Sequence, residues 1–271
     1  MTTNESMSSI KETAVIEGDK HMHTTRPTAT IVGVPSRRIA IAAGVFYLVT
    51  HVTSVGALIL YGPVLNSAGY IVGSGPDTRV LLGAFFEVIL AFAVVGTAVT
   101  LFPVVRRQNE GVALGYVGLR TLEAAIIVIG VVSLLAVVTL RQAGIAGTDQ
   151  ATLVTVGRAL VAVHNWTFLV GPSFTSGANT VLMAYLMYRS GLVPRFIPVL
   201  GLVGGPLVFA SATAVLFGLL GQYSVWPAIA SLPEFAWELT LAFWLIAKGF
   251  NASATASESA KTETNELLSA V

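Results

Sequence analysis

The sequence has no cysteine and very little charge. The missing cysteine excludes disulfides, thiolate catalysis and cysteine–zinc sites. Charged residues make up 11% of the 271 residues and nearly cancel, at a formal net charge of +1, so nothing draws the chain toward nucleic acid and no basic stripe is visible. No HExxH pairs histidines on a helix face for a hydrolytic metal, and no G-x-S-x-G elbow offers a serine nucleophile. Nor does the chain open on a secretory signal: residues 1–36 are polar and mixed in charge, where a signal would carry its apolar core. The sequence therefore calls for no catalytic residues, no metal and no cofactor.

What is present is hydrophobicity in long runs. The chain is 54% hydrophobic, with a mean hydropathy of +0.78, the composition of a polytopic membrane protein. Two apolar stretches, 80–105 and 112–140, flank the basic turn Arg106-Arg107-Gln108-Asn109-Glu110. Each exceeds the roughly 20 residues a helix needs to cross about 30 Å of hydrocarbon. Before them lies 39–61, closed by Gly62-Pro63, then a turn-rich loop at 62–79. Residues 150–190 are too long for one span at about 1.5 Å per residue. They are read as an interfacial or partly inserted helix at 152–163, with Asp149 as its cap, then a span at 166–188. Gly171-Pro172 is expected to kink this stretch. Spans at 196–220 and 229–247 complete six. The fold class is all-α, a transmembrane bundle of six spanning helices plus one interfacial helix at 37–250, between polar tails at 1–36 and 251–271.

Six crossings put both ends on one side. Eleven Lys and Arg fall in the tails and in the turns at 106–107 and 189–195, against three (Arg79, Arg141, Arg158) in the opposite loops. The positive-inside rule makes the tails cytoplasmic and the location an inner, or plasma, membrane. His21 and His23 form a His-x-His pair in the N-terminal tail, where solvation rather than metal binding is expected.

Ionisable groups inside spans are costly and so mark function. Depths counted from the basic end at about 1.5 Å per residue place Arg120 near 12 Å, Glu238 and Asn179 near 15 Å, and Glu123 near 17 Å. His51 falls near 20 Å, Glu87 near 27 Å, and His164 some 17 Å above His51. Arg120, Glu123, Glu238 and Asn179 thus share a level, with Tyr116 on the Arg120–Glu123 stripe. Glu87 lies beyond the reach of Arg120, and His164 beyond the level of His51, which disfavours a bis-histidine haem. These seven residues (Arg120, Glu123, Glu238, Asn179, Glu87, His51, Tyr116) form the candidate binding cluster. They act either as an ion pair that fixes helix register or as the lining of a hydrated cavity, where Arg120 would hold an anion and Glu123, Glu87 and His51 would take protons. Gly111-x-x-x-Gly115 and Gly201-x-x-x-Gly205 permit close helix packing, and Gly204-Gly205-Pro206 is a place where a helix could unwind.

Several stretches resemble a bacterial family known as domain of unknown function 4386. They are YGPVLN (61–66), GPDTRVLLGAFFEVILA (75–91), GTAVTLFPVVRRQNEGVALGYVGLRTLEAA (96–125), HNWTFLVGP (164–172) and YRSGLVPRFIPVLGLVGGPL (188–207). The resemblance covers about 37–250 and implies an integral membrane protein of six or seven helices; it brings no activity and no functional residues. Three function classes stay open: a small transporter or permease-like protein, a non-catalytic membrane component binding a lipid or protein partner, and an intramembrane enzyme. The partners expected are membrane lipid and a small molecule or ion, without nucleic acid.

Overall fold

A computed structural model describes residues 37–144 and 149–252. The readings of the two tails, including His21 and His23, lie outside these residues. Among the described residues there is no strand, and six helices are long and apolar enough to cross a membrane.

Helix α1 spans Arg37–Leu60. A one-turn helix, α2 (Gly62–Asn66), and a 3₁₀ turn (Tyr70–Val72) occupy the loop that follows. α3 covers Thr78–Val105 and runs through Pro103 near its end. α4 covers Glu110–Ala143; the Asn109 side chain accepts from the Val112 amide (3.0 Å), satisfying one of the orphan donors at its start. α5 (Gln150–Phe168) is capped by Asp149, as its position before the apolar run suggested. It continues through a wide π turn at Leu169–Thr175 into α6 (Ser176–Ser190). α7 (Phe196–Leu216) and α8 (Val225–Ala247) close the chain.

Two expectations are corrected here. No break separates an interfacial helix from a span near 164: residues 150–190 form one continuous 41-residue helix, with the irregularity confined to the π turn around Pro172. Proline cannot donate to the helical ladder, and a wider turn absorbs the missing bond. Conversely, Gly204-Gly205-Pro206 does not unwind α7. The glycines serve packing instead. A Cβ on Gly205 would lie 2.6 Å from the Gly177 carbonyl of α6, and one on Gly204 would strike the backbone of Pro233 and Glu234 in α8. Gly201 is likewise closed in by Ala184 and Trp237, whereas a Cβ on Gly111 would meet only its own Asn109 side chain.

The long helices form a closed ring. α1 packs on α3 and α8, α3 on α4, α4 on α6, α6 on α7, and α7 on α8; α5 lies against α4. Inside the ring are two separate apolar clusters. One, at the end bearing the start of α1 and the end of α8, contains Tyr47, Leu101, Met183, Met187, Trp237 and Leu241. The other, toward the opposite loops, contains Tyr61, Ala84, Ile127, Val131, Leu134 and Val138. Between them lies a polar layer.

Both ends of the ring are stitched by arginine. Arg37 donates to the last carbonyls of α8 (Leu245 O at 2.8 Å, Ala247 O at 3.2 Å, and Ile246 O), groups that a helix end otherwise leaves unpaired. At the loop end Arg141 pairs with Asp77 and donates to the Gly73 (3.2 Å) and Gly75 (2.9 Å) carbonyls, with its guanidinium 4.4 Å from the Tyr70 ring centre. Gly75 has φ +119°, a conformation only glycine adopts freely.

Candidate functional site

The polar layer is built around Arg120, which is 2% exposed. Its Nη2 donates to Glu238 Oε1 at 2.6 Å and its Nη1 to Glu123 Oε2 at 3.3 Å. Arg120 and Glu123 are one turn apart on α4, so the pair is local; Glu238 comes from α8 on the far side of the ring. Asn179 of α6 is fully buried and donates from Nδ2 to Glu123 Oε2 at 2.8 Å. Tyr116, one turn before Arg120, stacks its ring beneath the guanidinium (5.8 Å to the centroid), as Tyr47 of α1 does from another side (5.5 Å). The two phenols meet at 3.2 Å, and the Tyr116 hydroxyl donates to Thr97 Oγ1 at 3.3 Å. The guanidinium is therefore engaged by carboxylates at its end and by aromatic faces at its sides, both of which stabilise a buried cation.

His51 extends the layer. Its Nδ1 lies 2.9 Å from the Tyr47 carbonyl, which only accepts, so that nitrogen carries the hydrogen. Nε2 is left facing Glu238 Oε2 at 3.7 Å. A proton at Nε2 would make an ion pair, and its departure would leave Glu238 to Arg120 alone.

A second carboxylate group sits nearer the loop end. Glu87 of α3 accepts from the Tyr61 hydroxyl at 2.9 Å and faces His164 Nε2 of α5 at 3.6 Å. As the depth count implied, Glu87 makes no ion pair with Arg120. His164 departs from expectation: it is 3% exposed and sits beside Glu87 rather than well above it. The count treated 164–189 as one straight α-helix, and the π turn at Leu169–Thr175 breaks that assumption.

One further member was not singled out by depth. Glu234, one turn before Glu238 on α8, is 8% exposed, and its Oε1 accepts from Ser176 Oγ and Thr180 Oγ1 of α6, both at 2.8 Å. Its i, i+4 spacing from Glu238 was the signal available. Among the described residues no cationic side chain lies within ion-pair distance of it.

These groups surround a cavity of about 250 Å³ whose wall includes His51, Glu87, Arg120, Glu123, His164, Glu234 and Glu238. Of the residues expected in the cluster, Asn179 and Tyr116 stand behind this wall, holding Glu123 and Arg120. Buried and without a hydrogen-bond partner are Arg120 Nε, His164 Nδ1 and Asn179 Oδ1. No three His, Asp or Glu side chains among the described residues converge as a metal site would require.

The profile of a family described as a domain of unknown function, DUF4386, matches residues 42–249, from the first turns of α1 to the end of α8. The chain belongs to the DUF4386 family. No curated protein and no solved structure matches it. Family membership and the six apolar helices together make this DUF4386 chain a multi-pass membrane protein. The polar layer lies wholly inside the matched region, with Glu87 on α3, Arg120 and Glu123 on α4, and Glu234 and Glu238 on α8.

Proposed function

We propose that the protein is a small proton-linked carrier set in the cell's inner membrane with both termini cytoplasmic, and that the polar layer is its hydrated central site. The orientation is supported by the excess of Lys and Arg on the side of the tails and of the turns at 106–107 and 189–195. One observation supports the carrier most. Four carboxylates (Glu87, Glu123, Glu234, Glu238) and two imidazoles line a cavity of about 250 Å³ that holds a single guanidinium. A pair meant only to fix helix register needs Arg120 and one or two acids. Glu87 and Glu234 are surplus to that role, and unbalanced charge is not tolerated in a dry bundle. Water, protons or a guest must offset the surplus, and titratable groups beside an intramembrane cavity are what a proton-coupled carrier needs.

In this reading a protonated His51 pairs with Glu238 at 3.7 Å, and a protonated His164 with Glu87 at 3.6 Å. A guest that displaces a proton from a carboxylate couples its own movement to that proton's. The π turn at Leu169–Thr175, whose Pro172 lines the cavity, is where the wall is least regular and best able to move.

The test uses proteoliposomes loaded with a pH-sensitive dye and challenged with a panel of small organic amines and carboxylates. The wild type should change the internal pH with at least one of them, and Glu123→Gln should abolish the change while remaining folded and monodisperse. Equal flux in Glu123→Gln, or no proton movement with any of the panel, would contradict the proposal.

A further inference from the structure

Glu234 stands apart from the other acids of the layer. Glu123 and Glu238 are both taken by Arg120, and Glu87 has His164 and Tyr61. Glu234 has two hydroxyls on one oxygen and, among the described residues, no cation. It is also where two cavities meet. The central one, about 250 Å³, and a second of about 400 Å³ share Glu234, Leu58, Phe168, Pro172 and Ser231. The second reaches beneath the α7–α8 loop to Gln222 and Tyr223. Two buried polar atoms in these walls lack partners: His164 Nδ1 in the first, on a side chain 3% exposed, and Ser211 Oγ in the second.

We infer that the guest of this site is an amphipathic organic cation, a small amine with an apolar substituent, whose ammonium sits on Glu234 while its apolar part lies against Phe168, Leu58 and Pro172. This rests on the reading of the layer as accessible to solute. Three features select the class. Charge excludes an anion: the only guanidinium of the layer is held by two carboxylates, so Arg120 is not free to bind an anionic guest as its sequence position had suggested. Size and ligand geometry disfavour a bare metal ion, since the space is far larger than one ion and no three ligands converge among the described residues. The walls are mostly apolar and include the aromatic rings of Phe168 and Tyr61, which favour an ammonium over a strongly hydrated inorganic cation.

The test is calorimetric titration of the purified full-length protein in detergent with three probes of one shape: phenethylammonium, 2-phenylethanol and phenylacetate. The ammonium should bind and the others should not. Glu234→Gln should weaken binding by about tenfold or more, and Glu234→Asp should retain most of it. Should Glu234→Gln fail to fold, the probe series on the wild type and on Glu234→Asp decides. Equal binding of phenylacetate or phenylethanol, or an unchanged affinity in a folded Glu234→Gln, would overturn the inference. Ammonium binding without proton flux in liposomes supports the cation site and removes the carrier. Flux driven by phenylacetate with no ammonium binding does the reverse.

Discussion

At Arg120 the balance of the polar layer turns on one side chain. Its guanidinium bridges Glu123 of α4 to Glu238 of α8, so replacing it by methionine keeps the volume but leaves two buried carboxylates facing each other. Removing one member of a buried pair costs about 3–5 kcal/mol. Arg120→Met should therefore lower the unfolding temperature in detergent sharply, and the double variant with Glu238→Gln should recover part of the loss. A double variant as unstable as Arg120→Met alone would mean that the pair is not what ties α4 to α8. The clamp at the loop end makes a separate, pH-dependent prediction. Burial pushes the Asp77 carboxyl up, but hydrogen bonds from Tyr70, Gln142 and Arg141, with the charge of Arg141, outweigh it and hold the group below its ordinary value. A depressed carboxyl contributes stability above its unfolded value, about 3.9, and loses it as pH falls through the lower folded one. The difference in unfolding temperature between wild type and Asp77→Asn should be constant from pH 5 to pH 8 and shrink below about pH 4. A difference that grows in acid would contradict the assignment.

Helix by helix, long apolar runs made the six spans readable, because a stretch of about 20 apolar residues has few alternatives in water or lipid. The ends were less readable. α7 stops at Leu216 although Phe217, Leu219 and Leu220 continue the apolar run, because Gly218 adopts φ +72° and turns the chain. α8 starts at Val225, ahead of the expected 229, because Pro227 falls in its first turn, where no amide hydrogen is needed. Within the site, counting along straight helices grouped Arg120, Glu123, Glu238 and Asn179, which the structure joins by hydrogen bonds of 2.6–3.3 Å. The same count failed for His164, across the π turn. The hydroxyls on Glu234 were invisible to it, since which face of α6 meets α8 is a packing outcome. Glycines decide that packing. Gly204→Ala should strip α8 from α7 and lower the yield of folded protein, at about 1–3 kcal/mol or more for overpacking against backbone. Gly118→Ala, where a Cβ meets nothing within 4 Å, should be neutral or gain up to about 1 kcal/mol in helix propensity. Heat challenge of the two variants side by side checks both; comparable survival would remove the close α7–α8 approach from the list of what holds the ring.

At the largest scale, the described residues form a ring of six helices with two apolar plugs and a charged layer between them. Two apolar clusters supply the packing that a layer of charge cannot, and Arg37 and Arg141 pin the two ends so that the middle can differ from both. An even number of crossings brings the start of α1 and the end of α8 together, as the contact of Arg37 with Leu245 requires. Whether water enters the middle decides between a carrier and a dry, register-fixing core. The absence of native cysteine allows this to be read directly with single cysteines at Ser54 and Ser231, which line the cavity, and at Val52, which is 66% exposed on the outer face of the ring. In liposomes, a small charged thiol reagent should modify Ser54→Cys and Ser231→Cys and spare Val52→Cys, which faces lipid. Protection of both cavity positions, with folded protein in hand, would mean a dry layer and no carrier.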